Sequence, residues 1–305
     1  MEKEQDFSRY LQETTVFING ENFPAKEARI SVFDRGFLFG DSIYEACYGE
    51  DGFILFFDDH INRLKHSAKL LKFTLYTSVE EIKKQAIQTL SKSGLKSAYL
   101  RIILTRGESK ISLDPNQAFK NNLVTIARPK PVYPKEYYLN GVYLSLVNTI
   151  RNDIRAVDPN AKSGNYLNNV MAIEEAKAQG AYDAIMLNSE GKVTEGTTFN
   201  LWIVKNGKII TPPIESGLLA GITRKNLLIL IKTLGLNHAI EEIHPADLFS
   251  AQEVFITSST RKIIPVARID DKIYGDNTSH WPTIANLMHR FDELIQTQPA
   301  EYKYL

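Results

Sequence analysis

Lys162 lies in the stretch DPNAKSGNYLNN, and its amine could act as a nucleophile if the fold shields it from water. A lysine is nucleophilic near neutral pH when burial or a neighbouring cation weakens its hold on the proton. Glu195, in VTEGTTFNLW, carries a carboxylate that could face a pyridine nitrogen and keep it protonated. Taken alone, Lys162 is more typical of an exposed loop and Glu195 of a turn, so their chemistry depends on the residues around them.

Three further segments could bind an anion such as a phosphate group. Gly221-Ile222-Thr223 opens a predicted helix, whose first N–H groups and dipole favour negative charge. Ser258-Ser259-Thr260 follows a predicted strand and offers hydroxyls and amides, and Arg63 could add charge-assisted hydrogen bonds. The alternatives are a helix cap, a turn and a solvated helix face, and each is the stronger interpretation when its segment is taken alone.

Aromatic residues are concentrated in the segment DRGFLFGDSIYEACY. Phe37, Phe39 and Tyr44 could line a substrate pocket, although an aromatic-rich segment more often belongs to a hydrophobic core. Asp34-Arg35-Gly36 most simply forms a turn.

Hydrophobic spacing and turn residues predict helices and strands in both halves of the chain. The predicted helices cover residues 59–71, 79–93, 166–179, 223–234 and 282–296. The predicted strands cover residues 15–18, 98–105, 123–127, 142–149, 182–187, 199–204, 208–211, 253–257 and 263–269. Asp58 or Asp59 is expected to cap the first helix, and Lys162 and Glu195 are expected in loops.

The segment RPKPVYP, residues 128–134, has three prolines in seven residues and no periodicity, which is typical of a linker. It divides the chain into an N-terminal α/β domain, residues 1–127, and a C-terminal domain, residues 135–305. Because strands and helices occur in both parts, we expect two α/β or α+β domains.

The composition of the 305 residues is that of an ordinary globular protein, with 43% hydrophobic and 24% charged residues. Lys plus Arg and Asp plus Glu both number 36, which gives no bulk positive field for nucleic acid or an anionic membrane. No apolar run approaches the roughly 20 residues that span a bilayer, and the start is too polar for a signal peptide. The single cysteine, Cys47, fits a reducing compartment, so we expect a soluble, cytoplasmic protein.

Together the segments resemble class IV, fold-type IV, pyridoxal-phosphate enzymes. This family includes branched-chain aminotransferases, D-amino-acid aminotransferases and aminodeoxychorismate lyases. The resemblance runs from about Thr15 to the C-terminus and rests on motifs that occur in the family's order. They are DRGFLFGDSIYE, DHINRL, YLRIILTRG, DPNAKSGNYLNN, VTEGTTFNLW, GITR and the SST before IIPV.

The resemblance implies a role for individual residues. Lys162 looks like the lysine that binds pyridoxal 5′-phosphate as a Schiff base, and Glu195 like the partner of the pyridine nitrogen. Tyr166 resembles the tyrosine near the cofactor's phenolic oxygen. Phosphate contacts are implied for Arg63, Ile222, Thr223 and Ser259. Substrate contacts are implied for Phe39, Tyr44, Tyr99, Arg101, Ile111, Leu113 and Thr260, and no metal site is implied.

The family fold has a small N-terminal domain and a larger C-terminal domain with the cofactor between them, and its members are typically homodimers. The resemblance therefore implies a transaminase with ping-pong kinetics. The Lys162 amine would move the α-proton as a general base, and the amino acid would leave as an oxo acid. A second 2-oxo acid, such as 2-oxoglutarate, would then accept the amino group.

The substrate-binding segments combine features of two subfamilies. DRGFLFGDSIYE is closer to the D-amino-acid enzymes, yet Ile111 and Leu113 stand where those enzymes have an Arg-x-His pair that binds carboxylate. Tyr99-Leu100-Arg101 resembles the Tyr-x-Arg of branched-chain enzymes, and Ile111 and Leu113 suit an apolar side chain. Against this, Ala46 and Tyr48 replace a common Gly and Arg of those enzymes. These residues favour hydrophobic L-amino acids over D-amino acids.

Other functions remain as alternatives. An amine transaminase or a lyase would use the same cofactor residues, and a non-enzymatic cofactor binder would keep the phosphate contacts. A binder has less need for both Lys162 and Glu195, so their joint presence favours catalysis.

Overall fold

The computed structural model describes residues 2–297 and 302–305. Its residues fall into two compact units. Unit 1 takes those within Met1–Pro131, Ala161–Asn165 and Gln298–Leu305, and unit 2 those within Val132–Asn160 and Tyr166–Thr297. The domains and linker expected from the sequence stay a prediction. Among the described residues, no helix is both long and apolar enough to cross a membrane.

Unit 1 combines helices with an antiparallel sheet. Its helices are α1 (Glu2–Gln12), α2 (Arg35–Phe39), α3 (Phe57–Leu70) and α4 (Val79–Ser93). Its strands are β1 (Thr15–Ile18), β2 (Glu21–Pro24), β3 (Ser42–Glu50), β4 (Phe53–Ile54), β5 (Ala98–Thr105) and β6 (Asn122–Pro129). The strands pair in the order β2-β1-β6-β5-β3-β4, and each adjacent pair is antiparallel.

One face of the unit 1 sheet forms a hydrophobic core with α3 and α4. Alternate residues of β3 and β5, including Ile43, Cys47 and Ile102, pack with Leu64 and Leu90 of the two helices. This alternation follows from the period of two in a strand, which sends neighbouring side chains to opposite faces. Tyr44 and Arg101 therefore project from the face opposite this core.

Unit 2 holds the remaining elements. Its helices are α5 (Lys135–Leu139), α6 (Leu167–Ala178), α7 (Ile222–Thr233), α8 (Pro245–Ser250) and α9 (Pro282–Gln296). Its strands are β7 (Val142–Leu146), β8 (Asp183–Leu187), β9 (Val193–Gly196), β10 (Asn200–Lys205), β11 (Lys208–Thr211), β12 (His238–Ile240), β13 (Glu253–Ser258), β14 (Lys262–Ile269) and β15 (Lys272–Ile273).

The sheet of unit 2 follows the order β12-β11-β10-β13-β14-β7-β8-β9, with β15 beside β14. A further pairing of β9 with β10, between Glu195 and Asn200, closes six of these strands into a ring. The strands β8, β10 and β13 are buried almost throughout, which fits their nearly continuous apolar sequences. Trp202 and Phe255 stack within this core at 5.5 Å between ring centroids.

The mixture of helices and strands predicted for both parts of the chain is confirmed. The helices predicted at 79–93 and 282–296 have those bounds, as have the strands at 15–18, 98–105 and 208–211. Local signals explain this agreement. For example, Ser78 and Glu81 form a capping box at the start of α4, and Gly94 ends that helix with φ 65°.

Four local predictions are wrong or incomplete. The cap of α3 is Phe56, with φ 51°, whereas Asp58 and Asp59 lie in the first helical turn, where their charge favours the helix dipole. Asp34 does not simply begin a turn but caps α2, accepting a hydrogen bond from Gly36 N at 2.7 Å. The strand β3 and helix α1 were not predicted. Glu195 lies in the short strand β9 and not in a loop.

Candidate active site

Lys162 lies in a loop of unit 1, as predicted, and the loop is held against β3 and α3. Its backbone N donates to Ser67 Oγ at 3.0 Å, and its carbonyl accepts from Tyr44 N at 3.0 Å. The half-buried side chain donates from Nζ to the Tyr44 hydroxyl at 3.2 Å. The amine is therefore held at a defined position beside a phenol.

Tyr44 also contacts a second cation. Arg101 Cζ lies 3.9 Å from the centre of the Tyr44 ring, and Lys162 Nζ lies 4.3 Å from it. Arg101 pairs with Ala46 across β3 and β5, so it lies diagonally next to Tyr44 on the same face of the sheet. The structure thus brings together three of the residues that the sequence assigned to the site.

Arg63 forms a buried ion pair with Glu45, a residue that the sequence analysis missed. Arg63 Nε and Nη2 donate to the two carboxylate oxygens of Glu45 at 2.7 Å each, and His60 Nδ1 lies 2.7 Å from Oε2. Burial by itself would raise the pKa of Glu45, but the Arg63 charge and the hydrogen bonds from Arg63 and His60 lower it to about 2. Glu45 is therefore ionised and fixes the Arg63 guanidinium.

His60 is buried in the same cluster. Burial lowers the pKa of His60, although the Glu45 carboxylate acts in the opposite direction. Since Nδ1 faces a carboxylate, the neutral ring carries its proton on Nδ1 and donates it to Glu45. The motif DHINRL held the signal for this contact, because His60 and Arg63 are three residues apart on one helix face.

Glu195 is buried in unit 2 and has donors on both carboxylate oxygens. Arg151 Nε donates to Oε1 at 3.0 Å, and Leu219 N donates to Oε2 at 3.1 Å. Asn200 Nδ2 lies 3.5 Å from Oε2. Nothing in the polar stretch around Arg151 pointed to this contact, because the two residues are 44 positions apart and meet only in the folded sheet.

The N-terminus of α7 has the properties expected of an anion site. Its first residues, Ile222 and Thr223, are buried, and Gly221 precedes them as the N-cap. A Cβ on Gly221 would overlap Asn200 Oδ1, so this position requires glycine for close approach. The amides at the start of this 12-residue helix have no carbonyl partner one turn earlier in the helix.

Three other predicted cofactor and substrate residues lie in unit 2. Tyr166 is half-buried as the N-cap of α6. Ser259 and Thr260 are half-buried in the turn between β13 and β14, where Thr260 Oγ1 is 3.3 Å from Ser258 Oγ.

Arg261, which the sequence analysis did not single out, follows this turn directly. It donates from Nε to the Tyr182 hydroxyl at 2.9 Å and from Nη1 to Thr198 Oγ1 at 2.8 Å. Its Nη2 is 3.6 Å from Asp183 Oδ2. Burial raises the pKa of Asp183, although a hydrogen bond from Thr197 and the Arg261 charge oppose this.

The remaining predicted substrate residues are in unit 1, in different settings. Phe39 is half-buried beneath the Arg35 guanidinium, and Tyr99 lies between Arg128 and Tyr48. Ile111 and Leu113 are exposed by 72% and 81%. Among the described residues, no group of three or more His, Cys, Asp or Glu could hold a metal ion.

Comparisons with known proteins place these residues in a family context. Residues 42–269 match the family described as amino-transferase class IV. A Methanocaldococcus jannaschii protein provisionally named as a branched-chain-amino-acid aminotransferase is 36% identical, with 86% of this chain and 90% of that protein covered. The D-alanine aminotransferase of Bacillus licheniformis is 33% identical, with 94% of this chain and 99% of that protein covered.

The fold is also similar to solved structures. A branched-chain amino acid aminotransferase from a T.th. strain, solved with pyridoxamine 5′-phosphate, superposes with a TM-score of 0.87 and 26% identity. That comparison covers 93% of this chain and 95% of the solved chain.

Proposed function

Since the chain belongs to the class IV aminotransferases, which use pyridoxal 5′-phosphate, we propose that it transfers the amino group of a hydrophobic, branched-chain-like L-amino acid to a 2-oxo acid such as 2-oxoglutarate. The observation that carries the proposal is the Lys162 amine, held half-buried at 3.2 Å from the Tyr44 hydroxyl. The preference for an apolar side chain is supported by Ile111 and Leu113, which replace an anion-binding pair, and by the relative of 36% identity.

The residues present fit the cofactor. Gly221 makes a close approach where a Cβ would overlap Asn200, beside the buried Thr223 hydroxyl and the α7 N-terminus, and such a site suits a phosphate group. Ile222, Thr223, Ser259 and Arg63 would hold that phosphate, and Tyr166 the phenolic oxygen. Glu195, buried and held by Arg151, suits a protonated ring nitrogen. When bound, the cofactor supplies an electron-accepting ring that stabilises negative charge on the substrate α-carbon.

Lys162 binds the cofactor covalently and later acts as the general base. Its Nζ takes the proton from the substrate α-carbon and returns it elsewhere on the reacting system. The Tyr44 hydroxyl orients that amine through the 3.2 Å hydrogen bond. Arg101, next to Tyr44, and Thr260 bind the substrate, with Phe39, Tyr99, Ile111 and Leu113 contributing to specificity.

Covalent labelling tests the central residue. The purified protein is incubated with pyridoxal phosphate, reduced with borohydride, digested and analysed by mass spectrometry. We expect the label on Lys162, no label in Lys162→Ala, and normal labelling in Lys208→Ala, a variant of a surface lysine paired with Glu241. Label on another lysine, or a protein that stays colourless with added cofactor, would contradict the proposal.

A half-reaction panel tests the substrate. Bleaching of the cofactor absorbance is followed with the L- and D-enantiomers of leucine, alanine and glutamate. We expect L-leucine to react faster than either alanine enantiomer. Bleaching by D-alanine but not L-leucine would favour the second candidate, a D-amino-acid aminotransferase, which the similarity to the D-alanine enzyme supports. Pyruvate release without an acceptor would instead indicate the lyase.

The enzyme is a cytoplasmic homodimer in this proposal. Support for a dimer comes from an exposed apolar surface on unit 1 that Arg35 joins by hydrogen bonds to the carbonyls of Ser112 and Leu113. Its exposed members are Val32, Phe33, Phe37, Ile111 and Leu113. Light scattering should give twice the chain mass, and Phe37→Asp should reduce it, whereas Ile273→Asp at an exposed site of unit 2 should not. A monomeric wild type would refute the dimer.

A further inference from the structure

Arg151 is an almost buried arginine whose position is fixed by several parts of unit 2. It follows β7, and its backbone N donates to the carbonyl of Leu187 at the end of β8 at 2.8 Å. Its Nη1 donates to Asn168 Oδ1 at 3.1 Å, and Asn168 in turn donates to the carbonyl of Ile150 at 2.8 Å. Only 8% of the Arg151 side chain is exposed. The guanidinium is thus set before any ligand binds.

The remaining contact of this guanidinium is with Glu195. The distance from Arg151 Nε to Glu195 Oε1 is 3.0 Å, and the Glu195 side chain is 6% exposed. A carboxylate with so little access to water is stable as an anion only when a cation or several donors compensate it. Here Arg151 supplies the positive charge, and the Leu219 amide supplies a donor to the other oxygen.

We propose that Arg151 is a positioning residue that keeps Glu195 ionised and fixes the plane of its carboxylate. The inference rests on the proposed role of Glu195, which is to hold a proton on the cofactor's ring nitrogen. Only an ionised carboxylate can do this, since a neutral acid gives the nitrogen no charge to stabilise its proton. Arg151 acts through Glu195 and not on the substrate.

Loss of Arg151 has a defined chemical consequence. Without its cation, the buried Glu195 carboxylate is less costly as the neutral acid, so the proton moves from the ring nitrogen to Glu195. The ring is then a poorer electron acceptor, and the rate falls while substrate affinity changes little. Lysine at position 151 would restore the charge but not the planar contact with Asn168.

The test uses holoenzyme loaded with pyridoxal phosphate labelled with ¹⁵N in the ring, because the ¹⁵N chemical shift separates a protonated from a neutral ring nitrogen. The variants are R151M, R151K, E195Q and R155M, the last a matched control at an exposed arginine four residues away. We expect a protonated nitrogen in the wild type, R155M and R151K, and a shift towards the neutral form in R151M. The kcat of R151M should fall about 10- to 100-fold, as when the partner of a metal-binding side chain is removed, with KM changed less.

A protonated ring nitrogen together with a wild-type kcat in R151M would overturn the inference. If R151M does not fold, R151K and Asn168→Ala decide the question, because both disturb the fixed guanidinium while keeping its charge. We expect a lower kcat in both, and unchanged kcat in both would overturn the inference. E195Q separates the two levels of the argument. A protonated nitrogen in E195Q would refute the role of Glu195 itself, whereas an effect in E195Q without one in R151M would refute only the role of Arg151.

Discussion

Arg63 and Glu45 form a two-point ion pair in the interior of unit 1, with both N–H···O distances at 2.7 Å and the Glu45 side chain fully buried. Two parallel hydrogen bonds fix the guanidinium plane as well as its position. The proposed phosphate ligand is therefore set by a neighbour on β3, and the strand that carries Tyr44 also carries its support.

Glu45→Gln should strongly destabilise the protein. The amide leaves the Arg63 charge buried without its counterion, and breaking one side of a buried ion pair costs about 3–5 kcal/mol. Urea unfolding measures the loss. The matched control is Glu50→Gln on the same strand, which removes a more exposed pair with Lys130 and should cost about 1 kcal/mol or less. Equal losses in the two variants would contradict the prediction.

Stability should fall in acid in two stages. The pKa of Glu45 is lowered to about 2 by Arg63 and His60 against the effect of burial, so its contribution is complete above about 4.5 and lost as the pH falls towards 2. The pKa of His60 is lowered by burial, so stability also declines as the pH falls below about 6.5. Unfolding free energies between pH 2 and 8 check this. Glu45→Gln should have a flatter profile below pH 4.5, and an unchanged slope would count against it.

Tyr44→Phe should slow turnover without loss of cofactor. The Lys162 amine loses the hydrogen bond to the phenol, and a net bond of that kind corresponds to about a three- to tenfold change in rate. A larger substrate isotope effect with α-deuterated leucine should accompany the change, since proton transfer becomes slower. Tyr48→Phe, on the same strand, is the control. An isotope effect equal to that of the wild type would argue against the role of the hydroxyl.

Gly107→Ala should cost more than replacement of another glycine of similar backbone conformation. Gly107 has φ 105°, and a Cβ there would overlap the carbonyl oxygen of Lys120. Gly20 has φ 90° but no atom within 4 Å of its Cβ position, so Gly20→Ala reports the backbone strain alone, about 1–3 kcal/mol. Thermal unfolding compares the two variants. A melting temperature for Gly107→Ala as high as that for Gly20→Ala would mean that the loop yields easily.

The local parts of the fold could be predicted from the sequence. The capping box at Ser78 and Glu81 and the turn at Asn19-Gly20 are encoded within a few residues, and the elements beside them were predicted with correct bounds. The strand β3 was missed because its side chains are buried on both faces over most of its length, so the alternation that indicates a strand is absent.

The ionic contacts of the candidate site could not be predicted in this way. Arg63 was singled out as a phosphate ligand, but its pairing with Glu45 joins α3 to β3 across 18 positions. The contact of Arg151 with Glu195 spans 44 positions and requires the closed ring of strands. A sequence shows which residues can carry charge, whereas the fold decides which charges meet.

Tyr304 has a consequence for the order in which the protein can be made. It is buried in unit 1, where its hydroxyl donates to the carbonyl of Lys96, 208 positions earlier, and its N donates to the carbonyl of Gly52. During vectorial synthesis, the edge of the sheet at β4 must wait for translation to pass this tyrosine before it is completed. Until then the nascent N-terminal core stays open to chaperones and proteases, although nearly all of its sequence has already left the ribosome.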